Sequence, residues 1–104
     1  MTANDLLAVL SGHIGGTQGI KAKALADHFD VPERQIRTRV NDLREDGVAV
    51  CGHPSTGYYI AATQEELEQT CQFLRSRALH SLHVEARLRK ITLPDLIGQM
   101  KLQN

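Results

Sequence analysis

Apolar and polar positions alternate with a helical period over three stretches of the first fifty residues, then give way to two short extended runs. Leu6, Leu7, Val9 and Leu10 supply one buried side of a first helix. Thr2-Ala3-Asn4-Asp5 opens it as a capping box, Thr2 reaching the Asp5 N–H and Asp5 reaching back, and Ser11-Gly12 ends it. Leu25 and Phe29, one turn apart, predict a short second helix from Ala22 to Phe29. The chain turns through Asp30-Val31-Pro32, and Pro32, lacking an N–H and with φ already near the helical value, suits the mouth of a third helix. That helix, Glu33 to about Asp46, carries Ile36, Val40 and Leu43 on one face, and Gly47 stands where a left-handed cap is wanted. Val48 to Cys51 and Tyr58 to Ile60 then read as two strands separated by Gly52 to Gly57.

Past the strands, Thr63-Gln64-Glu65-Glu66 is a second capping box, and neither Gly nor Pro interrupts the chain from there to about Lys90, which predicts one long helix. Its apolar residues lie on three sides: Leu67, Cys71, Leu74 and Ala78; Phe73, Val84, Leu88 and Ile91; Leu79, Leu82 and Ala86. Such a helix needs more than one packing partner, and a second copy of the chain is the expected one. Thr92-Leu93-Pro94-Asp95 starts a short terminal helix rich in apolar residues: Leu93, Leu96, Ile97, Met100 and Leu102. The expected dimerisation residues are Leu74, Leu82, Leu88, Leu96, Ile97 and Met100.

Helix, turn, helix and two-stranded ribbon come in the order of a winged helix-turn-helix. The predicted fold is mainly α with a small β-wing. Residues 1–62 form the winged helix-turn-helix domain, with Ile20 as a first short strand beside the wing; a helical tail occupies residues 63–104. In the third helix the cations Arg34, Arg37 and Arg39 occupy the first half, and Asp42, Glu45 and Asp46 the second. A helix entering a major groove by its N-terminal end wants this polarity, because the carboxylates then stay outside the phosphate field. Arg34, Gln35 and Thr38 are the candidate base readers, with Arg37 and Arg39 nearer phosphate and Asn41 a further DNA-binding candidate on the same outer face. Lys21 and Lys23 are candidate backbone contacts, equally readable as solvated lysines. The wing tip has no Arg or Lys, so contact there would use His53, Ser55, Thr56 and backbone N–H groups, which position more than they read.

The same residues resemble the N-terminal winged-helix domain of the biotin repressor family. Leu25, Ala26, Phe29, Val31, Arg34, Ile36, Val40, Leu43, Arg44, Gly47, Val48, Val50, Gly57, Tyr58 and Ile60 match that domain's pattern across both helices and the wing. The resemblance covers about the first sixty residues and implies DNA binding; no ligase or ligand-sensing domain follows, so it implies no biotin chemistry. Pro32 stands where the pattern has Ser or Thr, which obliges a third-helix N–H to find another partner.

Composition narrows the remaining classes. A chain of 104 residues is one domain, or one small domain with an appendage. Its apolar runs are too short to span a bilayer, and Met1 to Leu10 lacks the pattern of a secretory signal. Cys51 and Cys71 do not make a disulfide framework, and a cytoplasmic protein is expected. The formal net charge is zero, which counts against strong non-specific nucleic-acid binding and keeps a protein-interaction module open as the alternative. Arg75, Arg77, Arg87, Arg89 and Lys90 make the tail locally basic, suited to DNA backbone or to an acidic partner protein. Gly15, Gly16 and Gly19 lack the spacing of a phosphate loop. Neither Cys51 with His53 nor His80 with His83 has further ligands at metal-site spacing, and no catalytic constellation is visible, so no metal, cofactor or enzyme activity is expected. The function expected is sequence-specific binding of double-stranded DNA by a homodimer. A small transcription regulator fits it, as does a replication or recombination accessory factor of a phage or mobile element.

Overall fold

In this computed structural model, which describes residues 1–101, the first capping box closes as its sequence demands. The Asp5 N–H bonds the Thr2 hydroxyl at 3.1 Å, and the Asp5 carboxylate accepts the Thr2 N–H at 2.9 Å, starting α1 (Ala3–Leu10). The Thr2 backbone N–H, and after it the Thr2 hydroxyl, hold the Asp5 carboxyl below its usual range. Helices α2 (Ala22–Phe29) and α1 both pack on α3 (Glu33–Glu45). Leu6, Leu10, Leu25, Ile36, Val40, Leu43 and Val50 form the centre, none more than 2% exposed. Burying a side chain of this size contributes roughly 1.5–3 kcal/mol. Three such residues on α3 therefore fix which of its faces points outward.

The turn between α2 and α3 is closed by backbone alone. Asp30 adopts the left-handed conformation at φ 53°, and the Val31 N–H reaches the Ala26 carbonyl at 3.0 Å. Pro32 takes the N-cap position at φ −65° without a side-chain cap, and the Gln35 N–H bonds its carbonyl at 3.0 Å. That carbonyl is the partner which the absence of Ser or Thr made necessary.

The first strand lies two residues later than the apolar run suggested, and the second starts one residue earlier: β1 is Val50–His53 and β2 is Gly57–Ile60, paired antiparallel from Val50↔Ile60 to His53↔Gly57. Val48 is drawn out of the ladder because its N–H caps α3 at the Leu43 carbonyl, 2.9 Å away beyond Gly47. Pro54 sits second in the turn, where the Thr56 N–H bonds the His53 carbonyl at 3.1 Å. Ile20 joins the other edge as a single bridge, exchanging both backbone bonds with Tyr58 at 2.8 and 2.7 Å. Gly57 has φ +80°, and a Cβ there would lie 2.3 Å from the Ile20 carbonyl oxygen. Gly57→Ala is expected to break this bridge and cost more than about 2 kcal/mol, read by denaturant unfolding; a loss within experimental error would contradict the close approach.

The chain divides into two compact units, one through Thr70 and one from Cys71 on. The N-terminal unit thus includes the first turns of α4 (Gln64–Arg89), extending beyond the boundary at residue 62 that the sequence suggested. The cause is Glu66, whose carboxylate accepts the Gly16 N–H at 2.7 Å and the Ala62 N–H at 2.8 Å. The Cys51 thiol also lies 3.5 Å from the Glu66 carbonyl, and Thr70 is buried.

The Ala62 and Gly16 amides hold the Glu66 carboxyl below its ordinary range. A carboxylate depressed on folding adds stability that is present above its unfolded pKa and is lost as pH falls through the folded one. Glu66→Gln is therefore expected to lower the thermal midpoint at about pH 7 and to lessen its fall towards about pH 3. Parallel melts of both proteins would show this; an unchanged acid limb would count against the clamp.

In the second unit the turn between α4 and α5 (Leu93–Lys101) repeats the geometry of the α2–α3 turn at the same spacing. Lys90 has φ 57°, and the Ile91 N–H bonds the Ala86 carbonyl at 3.0 Å. Thr92 then caps the Asp95 N–H at 3.2 Å. Ala86 and Leu96 are buried, as Ala26 and Ile36 are at the corresponding places of the first turn. From Cys71 through Ser81, by contrast, every residue of α4 is exposed.

Candidate nucleic-acid interface

With Ile36, Val40 and Leu43 buried, the 3.6-residue repeat turns Arg34, Thr38 and Asn41 to the opposite side of α3, with Arg37 at its edge; all four are exposed. The Thr38 hydroxyl donates to the Arg34 carbonyl at 3.1 Å, so it offers an incoming group its methyl and its lone pairs. Arg34 and Arg37 are paired with no carboxylate among the described residues. Among the described residues the exposed Asn41 amide has no hydrogen-bond partner, so its donor and acceptor stand together in the combination that can pair with an adenine edge.

Gln35 and Arg39 stand apart from this group. Both are half-buried on the flank of α3 nearer the core, and Arg39 is bonded to Asp42 at 3.0 Å. Its Nε is buried without a partner among the described residues. A guanidinium held this way has less charge to offer a phosphate than those of Arg34 or Arg37.

Lys21 does something that its position at the start of α2 did not suggest. Its ammonium bonds the Pro54 carbonyl and, at 2.9 Å, the Ser55 carbonyl, bringing a cation to a hairpin tip that has none of its own. His53 Nδ1 meets the Ser55 hydroxyl at 2.7 Å and accepts the Ser55 N–H at 3.1 Å, which orders the tip further. Thr56 is half-buried, and its hydroxyl turns back to the Gly57 carbonyl. Lys23 is exposed and unpaired among the described residues. Arg44 was legible only as a motif position; its Nε donates to the Val50 carbonyl at 2.8 Å and ties the end of α3 to β1. The signal was a basic residue in the last turn of a helix, just ahead of a strand.

Of the expected dimerisation residues, Leu74, Leu88 and Met100 are exposed, at 41, 78 and 41%. Leu82 and Ile97 are half-buried, and Leu96, at 2% exposure, is taken up inside the chain and offers nothing to a partner. Leu102 lies outside the described residues.

The described residues include no group of three His, Cys, Asp or Glu placed to hold a metal ion. Cys51 is buried and Cys71 exposed, both as free thiols. No helix among the described residues is long and apolar enough to cross a membrane. Charge is unevenly divided: six Lys and Arg stand against ten Asp and Glu through Thr70, and six against two beyond it. The chain matches no protein-family model, no curated protein and no solved structure.

Proposed function

We propose that this chain is a sequence-specific double-stranded-DNA-binding protein of the winged helix-turn-helix type, working as a homodimer in transcription regulation. The observation that carries the reading is the side-by-side exposure of Arg34, Arg37, Thr38 and Asn41 on a helix whose other face is anchored in the core. In this reading α3 enters the major groove, Arg34, Thr38 and Asn41 meet base edges, and Arg37 meets phosphate. The β1–β2 hairpin is the wing, with Lys21 supplying its charge. One such unit reads only a short half-site, and a dimer formed through Leu74, Leu88 and Met100 would match a two-fold operator.

The excess of acids in the N-terminal unit favours a second reading, a module that binds another protein. Selection from random duplex DNA tests both. A palindromic winner supports DNA reading and dimer symmetry together. No enrichment, with no mobility shift at low salt and micromolar protein, would favour the interaction module. Regulator, replication factor and recombination factor share this interface, and the identity of the selected site in a genome would separate them.

A further inference from the structure

A second surface, distinct from α3, has the chemistry of a polyanion contact. Phe73, Arg77, His80, Val84 and Arg87 recur at intervals of four and three residues, so they line one side of α4. All are exposed, and the side they share lies away from the one on which Leu82 and Ala86 are covered. Between Cys71 and Lys101 only Glu85 and Asp95 are acidic, and Glu85 is occupied by Arg89 at 2.8 Å. Among the described residues neither Arg77 nor Arg87 has a carboxylate partner. The Arg77 guanidinium lies over the Phe73 ring, 5.8 Å from its centroid, which steadies the plane while leaving N–H groups to point outward. His80 and His83 join Val84 and Arg87 along an open, shallow depression of this surface.

We propose that this face of α4 grips the phosphate backbone of nucleic acid as a sequence-independent contact. Arg77 and Arg87 are ten residues apart, about 15 Å along the helix axis. That separation suits the two phosphate walls of a groove about 12 Å wide. Planar guanidinium groups pair with phosphate and carboxylate alike, and the regular array of charges along a nucleic-acid backbone suits two of them fixed about 15 Å apart on one helix. A dimer would strengthen the case: two copies paired through Leu74 and Leu88 bring two such cationic units together, a repulsion that a polyanion relieves. The inference goes beyond the reading of α3, because it assigns a second surface and needs no base recognition.

The test compares the intact chain with the double variant Arg77→Gln/Arg87→Gln on a random-sequence duplex over a series of salt concentrations. The variant is expected to bind all duplexes more weakly and to flatten the slope of log K against log salt by about 2 per chain. Preference for a selected site over its single-base variants should stay unchanged, because that ratio belongs to α3. Circular dichroism of the variant excludes loss of the helix as the cause. An unchanged slope would overturn the proposal, even if α3 reads sequence as described. Conversely, a flattened slope with no sequence preference in either protein would leave this proposal standing and remove the other. Failure of the wild type to bind any duplex would overturn it too. So would binding to polyglutamate in place of DNA, lost in the same variant, which would assign the face to an acidic protein.

Discussion

Arg34→Ala is expected to weaken binding to a selected duplex by roughly 1–3 kcal/mol, on the order of ten- to a hundredfold, and to relax preference at one base position. The expectation follows from where Arg34 stands: in the first turn of α3, exposed, with no carboxylate to compete for its guanidinium among the described residues. Arg37→Ala should behave differently, weakening all sequences alike and lowering the salt slope by about 1. Arg39 supplies an internal control. Its bond to Asp42 leaves less charge for a phosphate, so Arg39→Ala should change affinity less than Arg37→Ala does. Titrations of the three variants against the selected site and its single-base substitutions would measure all of this. If Arg34→Ala left both affinity and preference intact, α3 would not be the reading helix.

The second large effect concerns where the N-terminal unit ends. A chain cut after Ala62 loses Glu66 and with it the acceptor for the Gly16 and Ala62 amides. It also loses half-buried Leu67, buried Thr70, and the turn of α4 that lies against Cys51. The apolar cover alone is worth on the order of 2 kcal/mol, a sizeable share of the stability of so small a unit. Cutting after Arg75 keeps these groups. Denaturant unfolding of the two fragments is therefore expected to show a cooperative transition for the longer one and a much weaker or absent one for the shorter. Equal midpoints would mean that α4 is not part of this unit.

These two expectations also mark how far the sequence alone could go. Caps and periodicity are local signals, and the elements that depend on them were legible. Thr2 and Asp5 started α1, Ile36, Val40 and Leu43 set the roll of α3, and Gly47 closed it. The candidate reading face follows directly, because a helix with one fixed core side has its outer side fixed too. What the sequence hid are contacts between distant residues. Nothing around Lys21 says that its ammonium will close on carbonyls more than thirty residues later, nor around Glu66 that it will meet the Gly16 amide. The first strand was displaced for a related reason: Val48 has the residue type of a strand, but the end of α3 claims its N–H first. Leu96, expected at an interface, is covered within the chain itself, because apolarity says that a side chain will be covered, not by what.

The fully exposed section of α4 from Cys71 to Ser81 has a practical consequence. A helical stretch with no tertiary cover is held by its own backbone bonds, and isolated helices shorter than about 12–15 residues are marginal in water. Its amides should be among the first in the helical parts of the chain to exchange with deuterium, and Arg75 and Arg77 place two tryptic bonds inside it. Brief digestion of the free protein should thus nick α4 near the start of the second unit, before the first unit is degraded. Whatever occupies the section, a second copy or a polyanion, must slow that cleavage, so the rate of nicking becomes an assay for a partner whose identity need not be known beforehand.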